Sequence, residues 1–322
     1  MPLEAEIDGD RVVAVTGVTG FIGGHLAAEL VRRGWRVRAL VRSMPRWQGV
    51  AASPVEVVQG GLAEPRTLEA LVTGTHAIVH LAGAIKGRNR DVFEQANVQG
   101  TVAVAEAWRA HAPDAILIHL SSMAAREPGL SHYTASKRAA EERLRAIGAG
   151  ARWHILRPSA VYGPGDRETL RIFRAAAGPV QPMLNGPDAR LTLVHVTDLV
   201  GAISVLLSLD RASGCFDVTD ARRDGYSWDE IARAAAAALG RPARPMRVPT
   251  TLIRTMALVG DALALAGSTT MLTSQKAREI LHRDWRSDPD CQLPGELWQP
   301  RISLTEGFSE TVAWYRRAGW LP

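Results

Sequence analysis

The chain has 322 residues, 46% of them hydrophobic, enough to bury a substantial core in one large domain or two. Its net charge of +5 does not single out nucleic acid. The basic residues are scattered among acids, as where Lys137-Arg138 is followed by Glu141-Glu142-Arg143, and no stretch interleaves aromatic with basic residues. Two cysteines, Cys215 and Cys291, exclude a disulfide framework and lack metal-ligand spacing, and Met1 to Asp10 is polar and acidic with no export-signal pattern; a reducing, cytoplasmic setting without a metal is expected.

The apolar run Val12-Val13-Ala14-Val15 reads as a buried strand that breaks into Thr16-Gly17-Val18-Thr19-Gly20-Phe21-Ile22-Gly23 and then into a helix marked by Ile22, Leu26 and Leu30. This order presents backbone N–H groups to a diphosphate at the positive end of a helix dipole. Gly17 makes the tight turn, Gly20 admits the pyrophosphate, and Gly23 lets the helix pack closely on its strand. A dinucleotide site is expected, lined by Gly17, Thr19, Gly20, Phe21, Ile22 and Gly23.

Trp35 to Arg42 follows as a second strand, ending about twenty residues past the last glycine, where a Rossmann domain reads the adenosine ribose. No acid stands there. Arg42, helped by Arg46, would attract a 2′-phosphate, so NADP(H) is expected, with NAD as the alternative. Val55 to Val58 is a third strand, and Gly60-Gly61-Leu62 should lie by the adenine, with a short helix over Thr67 to Val72. Ala77 to Gly83 reads as a fourth strand whose small end, Leu81-Ala82-Gly83, lets a cofactor pass close over the sheet; His80, inside an apolar run, reads as a packed core histidine.

A helix from about Asp91 to Ala110 carries Asn97, and the strand Ala115 to Leu120 runs into Ser121-Ser122. The alternation to this point implies an α/β fold, a Rossmann doubly wound parallel sheet with ligands beyond the carboxyl ends of its strands. Tyr133-Thr134-Ala135-Ser136-Lys137 then opens a helix that continues to Ile147, with tyrosine and lysine on one face. Lowering a phenol by about three units takes roughly 4 kcal/mol, which Lys137 and an oxidised nicotinamide would supply.

These pieces, with His80-Leu81-Ala82-Gly83, Leu156 to Asp166 and His195-Val196-Thr197-Asp198, resemble the extended short-chain dehydrogenase/reductases of the NAD-dependent epimerase/dehydratase family. The resemblance implies Tyr133 as general acid/base, Lys137 lowering its pKa and holding the nicotinamide ribose, and a serine polarising the substrate oxygen, with Ser122 preferred to Ser121. It places Pro158 and Val161 beside the nicotinamide, and Asn97 either in a proton relay or in helix packing. A homodimer through the helices carrying Asn97 and Tyr133 is also implied. Two departures stand out. Gly61 replaces the acid that in many relatives holds the adenine amino group, and the stretch from Ser122 to Tyr133 is shorter than in nucleotide-sugar epimerases.

Residues 8–166 are expected to form the dinucleotide-binding domain, with 192–220 returning to it, and 167–191 and 221–322 a smaller substrate-binding lid. Within the lid, Thr251 to Ala266 is nearly continuous apolar sequence, too short and interrupted to span a bilayer. Core packing or an apolar pocket wall is expected there, with membrane-surface contact as the alternative. Trp285, Trp298, Trp314 and Trp320 read as anchors for the terminal helix. The leading expectation is an oxidoreductase interconverting a secondary alcohol and a ketone on a hydrophobic, lipid-, steroid- or sphingolipid-like substrate. The alternatives are a nucleotide-sugar epimerase or dehydratase with tightly bound NAD, and a non-catalytic dinucleotide sensor or assembly factor.

Overall fold

The structure is a computed structural model that describes residues 11–44, 55–208, 213–265 and 272–322; Arg46 and the segment Met1 to Asp10 lie outside the described residues. Seven strands, β1 (Val12–Thr16), β2 (Arg36–Val41), β3 (Glu56–Gln59), β4 (Ala77–His80), β5 (Ile116–Leu120), β6 (Trp153–Pro158) and β7 (Gly214–Val218), form one parallel sheet. The order is β7-β6-β5-β4-β1-β2-β3, so the winding reverses between β1 and β4. A crevice opens beyond the carboxyl ends of strands at such a switch point, which is where a dinucleotide binds in this kind of fold.

The helices are α1 (Phe21–Arg32), α2 (Pro65–Val72), α3 (Gly100–His111), α4 (His132–Ile147), α5 (Leu170–Ala176), α6 (Val196–Leu207), α7 (Trp228–Ala238), α8 (Thr250–Leu265), α9 (Ser274–Leu281) and α10 (Leu304–Arg317). Alternate strand residues point to opposite faces. Val13 and Val15 therefore meet Leu26 and Leu30 of α1 and Leu199 and Ile203 of α6, while Ala14 faces Leu71 of α2 and Trp108 of α3. Burial on both faces explains why β1, β4 and β5 read as unbroken apolar runs. A separate core of Tyr162, Phe173, Ile231, Phe308 and Tyr315 joins α5, α7 and α10.

Three expectations meet a different outcome. The helix expected from Asp91 to Ala110 is broken into a short helix Arg90–Phe93, a π-helical turn Glu94–Gln99 and α3, so that Asn97 faces inward from the wide turn. Such turns are frequent at functional sites. The strand ending at Gly83 stops at His80, because Leu81 to Gly83 leave the sheet to line the crevice.

The third concerns α8. Among its described side chains, the expected burial holds only for Ile253, Ala257 and Gly260, while Leu252, Met256, Leu258, Val259 and Leu263 are 48–64% exposed. The helix rests through Ile253 and Ala257 on a small cluster with Ala277 of α9, and this narrow seam leaves most of its circumference outside. The terminal aromatics do act as anchors: Trp314 meets Trp320 edge-on at 4.9 Å, Tyr315 stacks on Trp320 at 5.6 Å, and the Tyr315 hydroxyl donates to the Asp166 carbonyl at 2.6 Å.

Candidate active site

The glycine turn between β1 and α1 is shaped by what it lacks. Gly17 sits at φ 76°, and a Cβ there would lie 2.7 Å from the Ala82 nitrogen, so both conformation and space demand glycine. A Cβ on Gly23 would stand 2.2 Å from the Gly17 carbonyl oxygen; the helix packs against the turn itself rather than the strand. Gly20 is the N-cap of α1 and brings no side chain to it. The first-turn N–H groups, from Phe21, Ile22 and Gly23, are thereby left to a ligand. Thr19 is exposed at the mouth, and Leu81, Ala82 and Gly83 form the opposite wall. Thr16 ties the two walls together: its hydroxyl accepts from the Ala82 N–H at 3.2 Å and bonds His80 Nδ1 at 2.7 Å. This cradle, which any Cβ would fill, fits a dinucleotide diphosphate.

At the adenosine end, Arg42 follows β2 and is exposed, and Leu62 packs against Gly100 at the start of α3. An acid that the sequence reading passed over does stand close to Gly61. Glu64 folds back through a turn so that its carboxylate accepts from the Gly61 N–H at 3.0 Å and from the Thr67 hydroxyl at 2.9 Å. The signal was a carboxylate three residues past a glycine pair, the spacing that closes a turn.

At the carboxyl end of β5 the two serines part. The Ser121 hydroxyl is buried and donates to Glu141 at 2.6 Å, whereas Ser122 lies within side-chain hydrogen-bond reach of Tyr133. Tyr133 stands in the first turn of α4, whose start is fixed by a capping box between Ser131 and Thr134, with the Phe93 ring 6.1 Å away. Burial pushes its phenol up to about 12; Ser122 opposes this shift and the charge of Glu279 adds to it. Burial is the largest influence on the phenol of the protein itself; the expected depression was assigned to Lys137 together with an oxidised nicotinamide. The Lys137 ammonium donates to the Leu120 carbonyl at 2.9 Å, and burial brings it down to about 8 against the pull of Glu141.

Asn97 donates to the Ser136 hydroxyl at 2.8 Å and to the Ala84 carbonyl at 3.0 Å, and accepts from the Ala84 N–H at 2.7 Å. These bonds clamp the loop after β4 onto α4, so that a Cβ on Gly83 would meet Asn97 at 2.7 Å and the Lys137 ammonium at 3.6 Å. His80 is packed as expected: it bonds Thr16 and Thr101, stacks on His119 at 5.3 Å, and burial brings it down to about 3, which keeps it neutral.

Beneath the tyrosine and lysine, fully buried Glu141 receives Arg157 through Nε at 2.8 Å and Nη2 at 2.6 Å, a bidentate pair between α4 and β6. It sets the height of Pro158, the buried end of β6, from which the chain passes to half-buried Val161. The Pro164 carbonyl then meets His25 Nε2 at 2.8 Å, tethering this loop over the first turns of α1. On the far side, α9 approaches: Gln275 Oε1 accepts from the His132 N–H at 2.7 Å, one residue before Tyr133.

A family model of the NAD-dependent epimerase/dehydratase family matches residues 13–218. A ceramide reductase from Caulobacter vibrioides (strain NA1000 / CB15N) is 43% identical over 317 residues, spanning 98% of each chain. The crystal structure of gox2253 superposes with a TM-score of 0.77 at 23% identity, covering 97% of this chain and 100% of that one. MoeE5 in complex with UDP-glucose and NAD superposes with a TM-score of 0.69 at 22% identity over 96% and 99% of the two chains. With the parallel sheet, the glycine cradle and the Ser122, Tyr133 and Lys137 cluster, these matches show that the chain belongs to the NAD-dependent epimerase/dehydratase family and is an NAD(P)-dependent enzyme of the short-chain dehydrogenase/reductase type.

Proposed function

We propose that this enzyme reduces a ketone to a secondary alcohol on a lipid-like substrate, with Tyr133 as proton donor. The observation that carries the reading is the convergence of Ser122, Tyr133 and Lys137 at the end of β5, where the Lys137 ammonium donates to the Leu120 carbonyl at 2.9 Å, in a chain similar along its whole length to a ceramide reductase. When bound, NADPH would supply the hydride. Ser122 and Tyr133 hold the substrate oxygen, and the Tyr133 proton passes to that oxygen as charge develops on it. Lys137, one turn further along α4, adds a positive charge that favours the phenolate that results. Gly17, Gly20 and Gly23 admit the diphosphate, Phe21 and Ile22 offer their N–H groups, and Pro158 and Val161 border the nicotinamide. The lipid preference rests on similarity to a ceramide reductase over the whole chain. Residues 167–191 and 221–322 act as the substrate-selecting lid, and a cytoplasmic homodimer through the helical segments carrying Asn97 and Tyr133 belongs to the same reading.

The test is NADPH consumption with a ceramide-like ketone, the product identified by mass spectrometry, alongside assay of nucleotide released on denaturation. NADPH-dependent formation of the alcohol supports the reading. NAD retained near one per chain, with epimerisation of a nucleotide sugar, replaces it.

Arg42 carries the cofactor preference. Arg42→Ala is expected to weaken NADPH binding about tenfold or more, the scale of one charge-assisted pair, and to leave NADH binding unchanged. Fluorescence titration of both nucleotides reads this directly; equal effects on the two would remove Arg42 from the site.

Because burial holds Lys137 at about 8, its ammonium is present below that pH and lost above it. The rate of ketone reduction is expected to be level through neutral pH and to fall above about 8. Lys137→Arg, charged at every working pH, should remove that alkaline fall even where it lowers the maximum rate. A wild-type profile that stays level well above this range would contradict the assignment.

A further inference from the structure

We propose that the outer face of α8 docks this protein on the surface of an anionic lipid bilayer. Leu252, Met256, Val259 and Leu263 recur at intervals of four, three and four residues, which places them in one stripe along the helix, and each is about half exposed. Leu258, 64% exposed, lies about 100° further round the same helix from Val259, so the outward apolar surface spans a broad arc. Isolated exposed apolar residues are ordinary, but a continuous stripe on one helix marks a contact surface. No helix among the described residues is long and apolar enough to cross a membrane, so the contact is with a surface rather than a span.

The charge beside the stripe selects the partner. Arg244 and Arg247 on the approach to α8 and Arg254 within it are all exposed. The acid of this stretch, Asp261, turns inward, where its carboxylate accepts from the Ser274 N–H at 3.0 Å. An exposed apolar arc with Arg254 at its far edge and Arg244 and Arg247 on the chain leading into the helix, and with no outward carboxylate along the same stretch, complements acyl chains and anionic headgroups together. A second copy of this chain would have to bring acids to those arginines; a neutral bilayer would leave them unused.

The position of α8 gives the contact a purpose. Its inner residues Ile253 and Ala257 pack on Ala277 of α9, and Gln275 of α9 holds the backbone beside Tyr133. One helix thus separates the docked face from the proposed proton donor, a short route for a lipid leaving the bilayer. The docking itself stands on surface chemistry and does not depend on which ketone is reduced.

Substrate-free vesicles therefore test it apart from the proposed reaction. The purified full-length protein should sediment with vesicles of phosphatidylcholine containing phosphatidylglycerol, more weakly with phosphatidylcholine alone, and less as salt is raised. Met256→Asp combined with Val259→Asp should cut binding to the anionic vesicles by about tenfold or more, and Arg247→Glu with Arg254→Glu should do likewise. These side chains are exposed, so the melting temperature should hold. Wild-type protein left in the supernatant, or variants that sediment as well as wild type, would overturn the proposal. So would variants that change only the oligomeric state on gel filtration, which would assign the face to a second copy of the chain.

Discussion

Tyr133→Phe is expected to lower the rate of ketone reduction by about 10²–10⁴-fold while leaving NADPH binding within about a factor of two. The substitution removes one hydroxyl and keeps the ring that faces Phe93, so the pocket should not collapse. The phenol stands beside Ser122 and is pushed up to about 12, which makes it a proton donor at neutral pH. The reverse reaction needs the phenolate, so alcohol oxidation should rise with pH across the range in which reduction is level. Steady-state rates in both directions, with a binding titration of the variant, check this. Full activity in the phenylalanine variant would move the acid role elsewhere; loss of NADPH binding would make Tyr133 a cofactor ligand first.

The second large effect concerns stability. Glu141→Ala should destabilise the fold by about 3–5 kcal/mol, because it strands the Arg157 guanidinium in a buried place without its bidentate partner. It also leaves the Ser121 hydroxyl without its acceptor. On a chain of this size a fall in melting temperature on the order of 10 °C follows. A subtler readout separates this pair from ordinary packing. Glu141 pulls the Lys137 ammonium up, so its neutralisation in Glu141→Gln should move the alkaline fall in reduction to lower pH. Scanning calorimetry and a pH–rate profile measure the two consequences. A variant as stable as wild type would show that the pair contributes no more than its desolvation costs.

The sequence alone determined the parallel sheet, the glycine turn and the order of serine, tyrosine and lysine. Those signals are local: apolar runs of strand length, glycines where φ or close approach forbids a Cβ, and a four-residue spacing on a helix. Gly17 and Gly23 could be read from the chain because the turn that needs them is contiguous. Only the tertiary structure decided what distant residues do to one another. It gave Ser121 to Glu141 and Ser122 to Tyr133, two adjacent residues whose side chains leave a strand end in opposite directions. It turned Glu64 back onto Gly61 and bent the chain at Asn97 into a π turn that clamps the loop after β4. It set how far burial raises the Tyr133 phenol in the protein itself, since burial is a sum over everything packed around a group and has no signature in the spacing of tyrosine and lysine. It also left α8 facing outward. Apolar periodicity says that a surface wants covering; whether the chain itself covers it depends on how many elements reach that place, and at α8 one small cluster, with Leu184, Val248 and Ala277, covers a single side of the described helix.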